Sequence, residues 1–228
     1  MNMLCFTVPP DGDHKTGVYE DFDTVRGTVR VIYFDENISA LKRIYYNRRI
    51  SKLTKEGAVC GETLYKNGRE LAAFYIKSIC DAVLDGGKDI LICSKNIKDC
   101  DALREIILSF NVKFLTEKGM VSAFREYLAE EFGIADGASA AAPPGGKCVI
   151  VTDGCESFNL KGAREIINIS GAPLEFPCIS PETLFFKLPA EFSGAPPFLK
   201  RCDYLQTALD FFGFSYENTK LLSVKTGI

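Results

Sequence analysis

The sequence predicts an α/β fold with a mainly parallel β-sheet. Short apolar runs alternate with amphipathic segments, and the runs DILIC (89–93) and KCVIVT (147–152) are as apolar as strands buried on both faces. Parallel strands need crossover connections, and helices in those connections cover both faces of the sheet. A composition of 46% hydrophobic and 25% charged residues suits a globular protein of this class.

The first 35 residues predict two strands with an acidic loop between them. Residues 4–8 and 29–34 are rich in apolar, β-branched or aromatic side chains, which is typical of strands. We expect the intervening segment to be a loop because it concentrates acidic residues, namely Asp11, Asp13, Glu20, Asp21 and Asp23.

Two helices are expected next. Residues 37–55 hold six basic residues and no acidic residue, and part of a helical face is formed by Ile38, Leu41, Ile44, Tyr45 and Leu53. Asn67 with Glu70 resembles a capping pair, and apolar residues at 71, 75, 79 and 83 continue the second helix as far as Gly86 and Gly87.

The alternation then becomes regular. We predict a strand at 89–93, a helix at 101–110, a strand at 112–115 and an amphipathic helix at 119–132. Residues 133–147 are small and turn-forming, so they predict an exposed connection and a candidate sub-boundary within a single domain spanning 1–228. A helix at 198–212, stopped by Gly213, and a strand at 221–224 complete the pattern.

The segment after this connection resembles the segment before it. KCVIVT (147–152) parallels residues 88–93, and the string REII occurs at both 104–107 and 164–167. A duplicated βαβ unit would explain the likeness, but any two βαβ units share such features, and that simpler interpretation is favoured. The pattern predicts a Rossmann-like three-layer α/β/α arrangement. If the unit is duplicated, this arrangement consists of two βαβ halves joined by a small-residue linker.

Charge and histidine content exclude several classes of protein. A formal net charge of −3 argues against nucleic acid as a partner, and no apolar run approaches the roughly 20 residues that span a bilayer. His14 is the only histidine, which leaves a Ser-His-Asp triad or a multi-histidine metal site almost nothing to draw on. Residues 1–10 lack the basic start of a secretory signal, so we expect a cytoplasmic protein.

The cysteines predict buried, reduced thiols rather than a disulfide framework. Nine of them are scattered along a chain that is too long to need such a framework, and no two form a C-x-x-C pair. Cys93 and Cys155 are candidates for a thiol role, because both fall near predicted strand ends where a helix N-terminus can lower a thiol pKa.

The candidate ligand site is a crevice at the carboxyl ends of the strands. Loops there lead into helix N-termini, whose free N–H groups attract anions. The polar residues that follow predicted strands are Asp35, Glu36, Asn37, Ser94, Lys95, Asn96, Thr116, Glu117, Lys118, Thr152, Asp153, Gly154, Cys155 and Ser157. Neither a G-x-G-x-x-G pattern nor a correctly ordered P-loop occurs, so no particular cofactor is indicated.

One strand end has a distinctive local sequence. The segment 152–157 (TDGCES) resembles part of the D-x-S-x-S metal loop of von Willebrand A-type domains, but Cys155 stands in the middle position, where Mg²⁺ prefers a hard oxygen ligand. The favoured interpretation is therefore a turn in which Asp153 bonds its own backbone and Gly154 relieves strain. No metal site is predicted.

The basic part of the segment 37–55 is the candidate surface for an anion or an acidic protein. It carries Lys42, Arg43, Arg48, Arg49 and Lys52, interleaved with Tyr45 and Tyr46. The alternative, which is favoured, is a solvated helix face balanced by the acidic segment near the N-terminus.

Two functions follow from these patterns. The first is a regulatory or binding protein that holds a small anionic ligand or a protein partner in the crevice. The alternative is a transferase or hydrolase for a phosphorylated or nucleotide-like small molecule, with Asp153, Ser94 and Lys95 around the substrate and Mg²⁺ as an optional ion. A homodimer is a further candidate, on an aromatic patch of Phe185, Phe186, Phe192 and Phe198, although packing of these rings onto their own core is favoured.

Overall fold

The computed structural model describes residues 2–10, 13, 15–35, 37–55, 58–60, 68–84, 86–87, 89–153 and 158–225. The chain forms two compact units, Met1–Asn67 with Phe186–Lys220 and Gly68–Phe185 with Leu221–Ile228. The candidate sub-boundary at 133–147 lies inside the second unit. In the described part of the chain, no helix is long and apolar enough to cross a bilayer.

The first unit contains a four-stranded sheet. Its strands are β1 (Met3–Val8), β2 (Tyr19–Thr24), β3 (Gly27–Tyr33) and β4 (Ala58–Cys60), in the order β2-β3-β1-β4. β1 runs parallel to β3 and β4, whereas β2 is antiparallel to β3. The strands expected at 4–8 and 29–34 are thereby confirmed.

The prediction of a loop throughout the acidic segment was wrong, because β2 lies within it. β2 is an edge strand and its residues alternate between exposed and half-buried, so it tolerates charges that an inner strand would not. Its register places Asp21 opposite Arg30, and the Arg30 guanidinium binds both oxygens of the Asp21 carboxylate at 2.7 Å. Charge pairing across the two strands replaces the apolar pattern that would have identified β2 in the sequence.

The helix expected at 37–55 is confirmed as α1 (Ala40–Leu53), but within this helix only Leu53 of the expected apolar face is half-buried. None of its residues is buried, and its half-buried side chains are Tyr46, Ile50 and Leu53, at i, i+4 and i+7. The residues that the periodicity assigned to the inner face include Leu41, which is 82% exposed.

The second unit contains the predicted parallel sheet. Five parallel strands, β5 (Asp89–Cys93), β6 (Asn111–Leu115), β7 (Ala138–Ser139), β8 (Cys148–Val151) and β9 (Glu165–Asn168), lie in the order β7-β6-β5-β8-β9. Successive residues of β5 point to opposite faces, and Ile90, Leu91 and Ile92 are all buried, so both faces of this strand are covered. The chain is therefore a mixed α/β protein with an all-parallel five-stranded sheet.

The other helices in the described residues are α2 (Arg69–Phe74), α3 (Ile76–Val83), α4 (Asp99–Ala102), α5 (Arg104–Ser109), α6 (Val121–Phe132) and α7 (Cys202–Phe212). The helix predicted as far as Gly86 is interrupted at Tyr75, and the helix predicted at 101–110 is interrupted at Leu103. Backbone bonds from Tyr75 N–H to Leu71 and from Ile79 N–H to Tyr75 carry the helical pattern across the first interruption. The expected cap residue Asn67 lies outside the described residues.

The REII strings do not correspond in the structure, which argues against the candidate duplication and agrees with the simpler interpretation that the sequence favoured. The string REII is helical where it begins at Arg104, whereas β9 contains Glu165, Ile166 and Ile167 as a strand beside β8. The connection at 133–147 is also not a plain loop, since β7 lies within it and pairs with β6, with Ala138 buried.

The aromatic segment before α7 packs inward, as the favoured interpretation had it. Phe186 and Phe192 are buried, while Phe185 and Phe198 are half-buried. The exposed patch expected for a homodimer is therefore not formed by these four rings. Two short strands, β10 (Leu184–Lys187) and β11 (Lys220–Val224), form a separate sheet, and the strand expected at 221–224 is confirmed.

Candidate functional site

Three neighbouring strands of the five-stranded sheet end at one level. The register pairs Cys93 with both Leu115 and Val151, so Ser94, Thr116 and Thr152 each follow the last residue of a strand. The three residues are buried, at 0%, 1% and 2% exposure, and each backbone N–H continues the sheet by bonding to a neighbouring strand. The structure thus brings these predicted site residues to one edge of the sheet.

Ser94 shapes the turn that enters α4. Its hydroxyl lies 2.8 Å from a carboxylate oxygen of Asp99 and accepts the Asn96 N–H at 3.0 Å. The Asn96 side chain in turn accepts the N–H of Lys98 at 3.1 Å. These bonds fix the backbone of the loop after β5. The main role of the Ser94 hydroxyl is therefore to hold this loop in place rather than to bind a ligand.

Asp153 ties two loops of the same edge together. Its Oδ1 accepts the backbone N–H of Lys95 at 2.6 Å, across the loops after β8 and β5. The expected bond of Asp153 to its own backbone would involve residues 154–157, which lie outside the described residues. Gly154, Cys155 and Ser157 lie outside the described residues. Sequence reasoning missed Arg69, whose guanidinium donates to the Thr152 carbonyl at 3.2 Å, because nothing in its local sequence connects it with β8.

The loops after β5 and β6 are joined by an ion pair. The ammonium of Lys95 lies 2.8 Å from Oε1 of Glu117, and the two side chains are 31% and 52% exposed. A pair this exposed contributes on the order of 0–1 kcal/mol to stability, so an anionic ligand competes with Glu117 for Lys95 at small cost. Lys118, in the following 3₁₀ turn (Lys118–Met120), is exposed.

Thr116 is the exception among the three strand-end residues. Its hydroxyl is buried and has no hydrogen-bond partner in the described part of the chain. The comparable hydroxyl of Thr152 donates to the Cys93 carbonyl at 3.2 Å. A buried hydroxyl without a partner costs about 1–3 kcal/mol of desolvation, so Thr116 is a polar group that the fold itself leaves unsatisfied.

The thiols of Cys93 and Cys100, near this edge, are buried. Cys93 has no exposed surface, which denies a reagent access to it. Burial, with the nearby Asp99 and Asp101 carboxylates, raises the pKa of the Cys100 thiol to about 12. The seven cysteines whose side chains the structure describes form no disulfide, and all except Cys178 are buried, as expected for small apolar residues. Cys155 lies outside the described residues.

The candidate residues after β3 belong to the other sheet. Asp35 accepts the N–H of Asn37 at 2.8 Å and its own N–H donates to the Thr16 hydroxyl, which forms a turn before α1. This turn follows β3, which belongs to the four-stranded sheet of the first unit. The expectation that all the polar residues lie at the edge of one sheet was therefore wrong for Asp35 and Asn37. Glu36 lies outside the described residues.

The basic residues of α1 are exposed, which fits both interpretations of this segment. Lys42, Arg48, Arg49 and Lys52 make no ion pair with any described residue. No group of three or more His, Cys, Asp or Glu side chains in the described residues is arranged to hold a metal ion.

No family model and no curated protein matches the sequence. Among solved structures, the chain is similar to L-tryptophan dehydrogenase from Nostoc punctiforme, with a TM-score of 0.40 and 9% sequence identity. The match covers 95% of this chain and 78% of that chain.

Proposed function

We propose that this α/β protein binds a small anionic ligand at the carboxyl edge of its five-stranded sheet, in a regulatory or partner-binding role. The observation that carries the proposal is the buried, unpaired hydroxyl of Thr116 at the end of β6. A fold tolerates such a group where another function needs it, and ligands of open parallel sheets bind at this edge.

The charges around Thr116 favour an anion. Lys95 and Lys118 follow the two strands β5 and β6, and the Lys95 ammonium pairs with the exposed carboxylate of Glu117. An incoming phosphate or carboxylate takes over the ammonium from Glu117, while Thr116 supplies a hydroxyl that needs a partner. Phosphorylated and nucleotide-like small molecules are the ligand class with this chemistry.

Two measurements test ligand binding. Native mass spectrometry of freshly purified protein, compared with its denatured mass, is expected to show a retained species. Titration with inorganic phosphate, sugar phosphates and nucleotides is expected to raise Tm for at least one of them, because a ligand at 100 times its Kd stabilises by about 2.7 kcal/mol.

The matched variants are Thr116→Val and Thr207→Val. Thr116→Val is expected to lower the affinity for the stabilising ligand at least tenfold. Thr207 lies in α7 of the first unit and donates to the Asp203 carbonyl, so its valine variant should bind as the unaltered protein does. A bare mass together with no Tm shift across the panel would exclude the proposal.

The second candidate is a transferase or hydrolase for the same ligand class, and one feature of Asp153 favours it. Only Oδ1 of this half-buried carboxylate is used by Lys95, and Oδ2 has no hydrogen-bond partner in the described residues. A carboxylate oxygen of this kind can hold Mg²⁺ or accept a proton from a substrate hydroxyl.

Two substitutions at Asp153 separate catalysis from structure. Asp153→Asn keeps an oxygen for the Lys95 N–H but removes the charge, whereas Asp153→Ala removes both. An enzyme should release phosphate from a member of the panel and lose that turnover in both variants, with a lowered Tm only in the alanine variant. No phosphate release by the unaltered protein, with or without Mg²⁺, rejects this candidate.

We also propose that the chain acts as a single α/β domain in the cytoplasm, with its sheet in a Rossmann-like three-layer arrangement and its thiols reduced. Support comes from the fully covered strand β5 and from the described cysteines, which form no disulfide and are buried apart from Cys178. Denaturant unfolding followed by two probes should then give one coincident transition. Two separate transitions would mean independent domains.

A further inference from the structure

The outward side of α1 is an apolar surface that the first unit does not cover. Leu41, Ile44 and Tyr45 are 82%, 53% and 62% exposed, and they lie within one turn and a half of the helix. Helices of globular proteins turn such residues toward a core, and an exposed cluster of them marks an interaction surface.

The opposite side of α1 already holds the helix in place. The ring of Tyr46 packs edge-on to Phe34, with centroids 6.4 Å apart, and lies where a side chain at Gly17 would stand. The carbonyl of Leu53 accepts a 2.9 Å hydrogen bond from Arg30. Because these contacts attach α1 through one side, its other side can receive a partner without unfolding the unit.

The same outward side becomes basic toward the end of the helix. Arg48 and Lys52 continue the line of Leu41, Ile44 and Tyr45 at helical spacings of three and four residues. We call these five residues the outer face of α1. Neither Arg48 nor Lys52 pairs with a described carboxylate.

Part of the acidic strand β2 is engaged elsewhere. Asp21 binds Arg30, and Asp23 accepts the hydroxyl of Thr28 at 2.8 Å. The acidic segment was expected to balance the positive charge of α1, but these two of its carboxylates bind groups of their own sheet. These two carboxylates therefore do not neutralise Arg48 and Lys52 of the outer face.

We propose that the outer face of α1 docks an acidic protein segment, apolar at one end and carrying carboxylates at the other. The apolar and basic residues follow one another along the helix axis. A membrane-surface helix instead keeps its apolar side along its whole length. A nucleic-acid surface would make no use of exposed Leu41 and Ile44. This inference is independent of the ligand site at the sheet edge.

The probe is a phage-displayed library of random 16-residue peptides, selected on the full chain. Counter-selection uses Arg48→Glu/Lys52→Glu, and a matched control is Lys161→Glu/Lys200→Glu, which has the same net charge and alters two exposed lysines outside α1. None of these side chains is buried, so circular dichroism and Tm should remain unchanged in both variants.

The expected result is enrichment of peptides with acidic residues on one side of an apolar pair. Their affinity, measured by fluorescence anisotropy, should fall at least tenfold in Arg48→Glu/Lys52→Glu and in Leu41→Ser/Ile44→Ser, and should stay unchanged in the control. Raising the salt concentration should weaken binding further, since exposed charges are screened.

Several outcomes overturn the proposal. The proposal fails if no selected peptide depends on Arg48 and Lys52 for binding. It also fails if Lys161→Glu/Lys200→Glu weakens peptide binding as much as Arg48→Glu/Lys52→Glu does. Vesicles with 30% phosphatidylserine, a 20-base-pair DNA duplex and sedimentation of the protein alone complete the test. Binding or self-association that depends on the outer face in any of these three assigns α1 to a membrane, to nucleic acid or to a second copy instead.

Discussion

Thr116→Val is the substitution whose effect the structure predicts most sharply. Valine has nearly the shape of threonine, so it fills the same space while removing a hydroxyl that no described group pairs. Removal of that unsatisfied group should raise the free energy of unfolding by about 1 kcal/mol, out of a desolvation cost of about 1–3 kcal/mol. For a chain of this length the gain corresponds to a rise in Tm of about 2–4 °C.

Thr152→Val is the matched control for stability. Thr152 is as buried as Thr116 and follows the neighbouring strand, but its hydroxyl donates to the Cys93 carbonyl. Loss of that bond should lower the free energy of unfolding by about 1 kcal/mol. The same chemical change at two equivalent strand ends is therefore expected to shift stability in opposite directions.

The assay is urea unfolding of the unliganded protein and of both variants, followed by fluorescence and by circular dichroism. If Thr116→Val destabilises the protein as much as Thr152→Val does, the Thr116 hydroxyl has a partner in solution. It would then satisfy the fold, and the main support for a ligand at this edge would be lost.

Three further predictions concern the stability of the two units. Gly17→Ala should cost about 1–3 kcal/mol, since Gly17 has φ +85° and a Cβ there would lie 2.5 Å from the ring of Tyr46; urea unfolding equal to that of the unaltered protein would contradict the packing of α1. Arg26→Ala should cost about 1 kcal/mol, because this guanidinium donates to the carbonyl of Phe212, the last residue of α7, at 2.8 Å and to that of the following Gly213 at 2.9 Å; an unchanged Tm would refute this capping role. Burial raises the pKa of Cys100 from 9.0 to about 12, and a hydrogen bond to a carboxylate raises the pKa of Tyr127 from 10.0 to about 12. Both groups therefore keep their protons to a higher pH in the folded protein than in the unfolded chain. The stability that this difference provides is complete below pH 9 and is lost as the pH rises toward 12. A free energy of unfolding that stays constant between pH 8 and 11 would contradict both shifts.

The parallel sheet was predictable because its inner strands leave no ambiguity in the sequence. The run DILIC is short and apolar without interruption, and an amphipathic segment follows it, which is the pattern of a strand covered on both faces. Parallel register then fixes which residues share an edge. Ser94, Thr116 and Thr152 could be placed together for that reason.

Other elements depend on contacts that no local pattern reveals. The string REII is a helix after Arg104 and contributes a strand after Arg164, so its conformation is set by its neighbours. β2 was hidden because its carboxylates match a loop, and the partner that makes the strand acceptable, Arg30, lies on the next strand. Periodicity predicted α1 but chose the wrong side of it, since its inner face is defined by Gly17 and Phe34, which precede the helix in sequence.

In the candidate site, too, one property could be predicted from the sequence and another could not: burial of the polar residues was predictable, whereas their hydrogen-bond partners were not. Hydrophobic patterning indicates that a polar residue after an apolar strand will be buried, and this held for Ser94, Thr116 and Thr152 alike. Whether its hydroxyl then finds an acceptor depends on groups that arrive from other strands and loops: Asp99 for Ser94, and Cys93 for Thr152. Thr116 has the same sequence context and no such group, so only the folded structure distinguishes it as the residue that a ligand would complete.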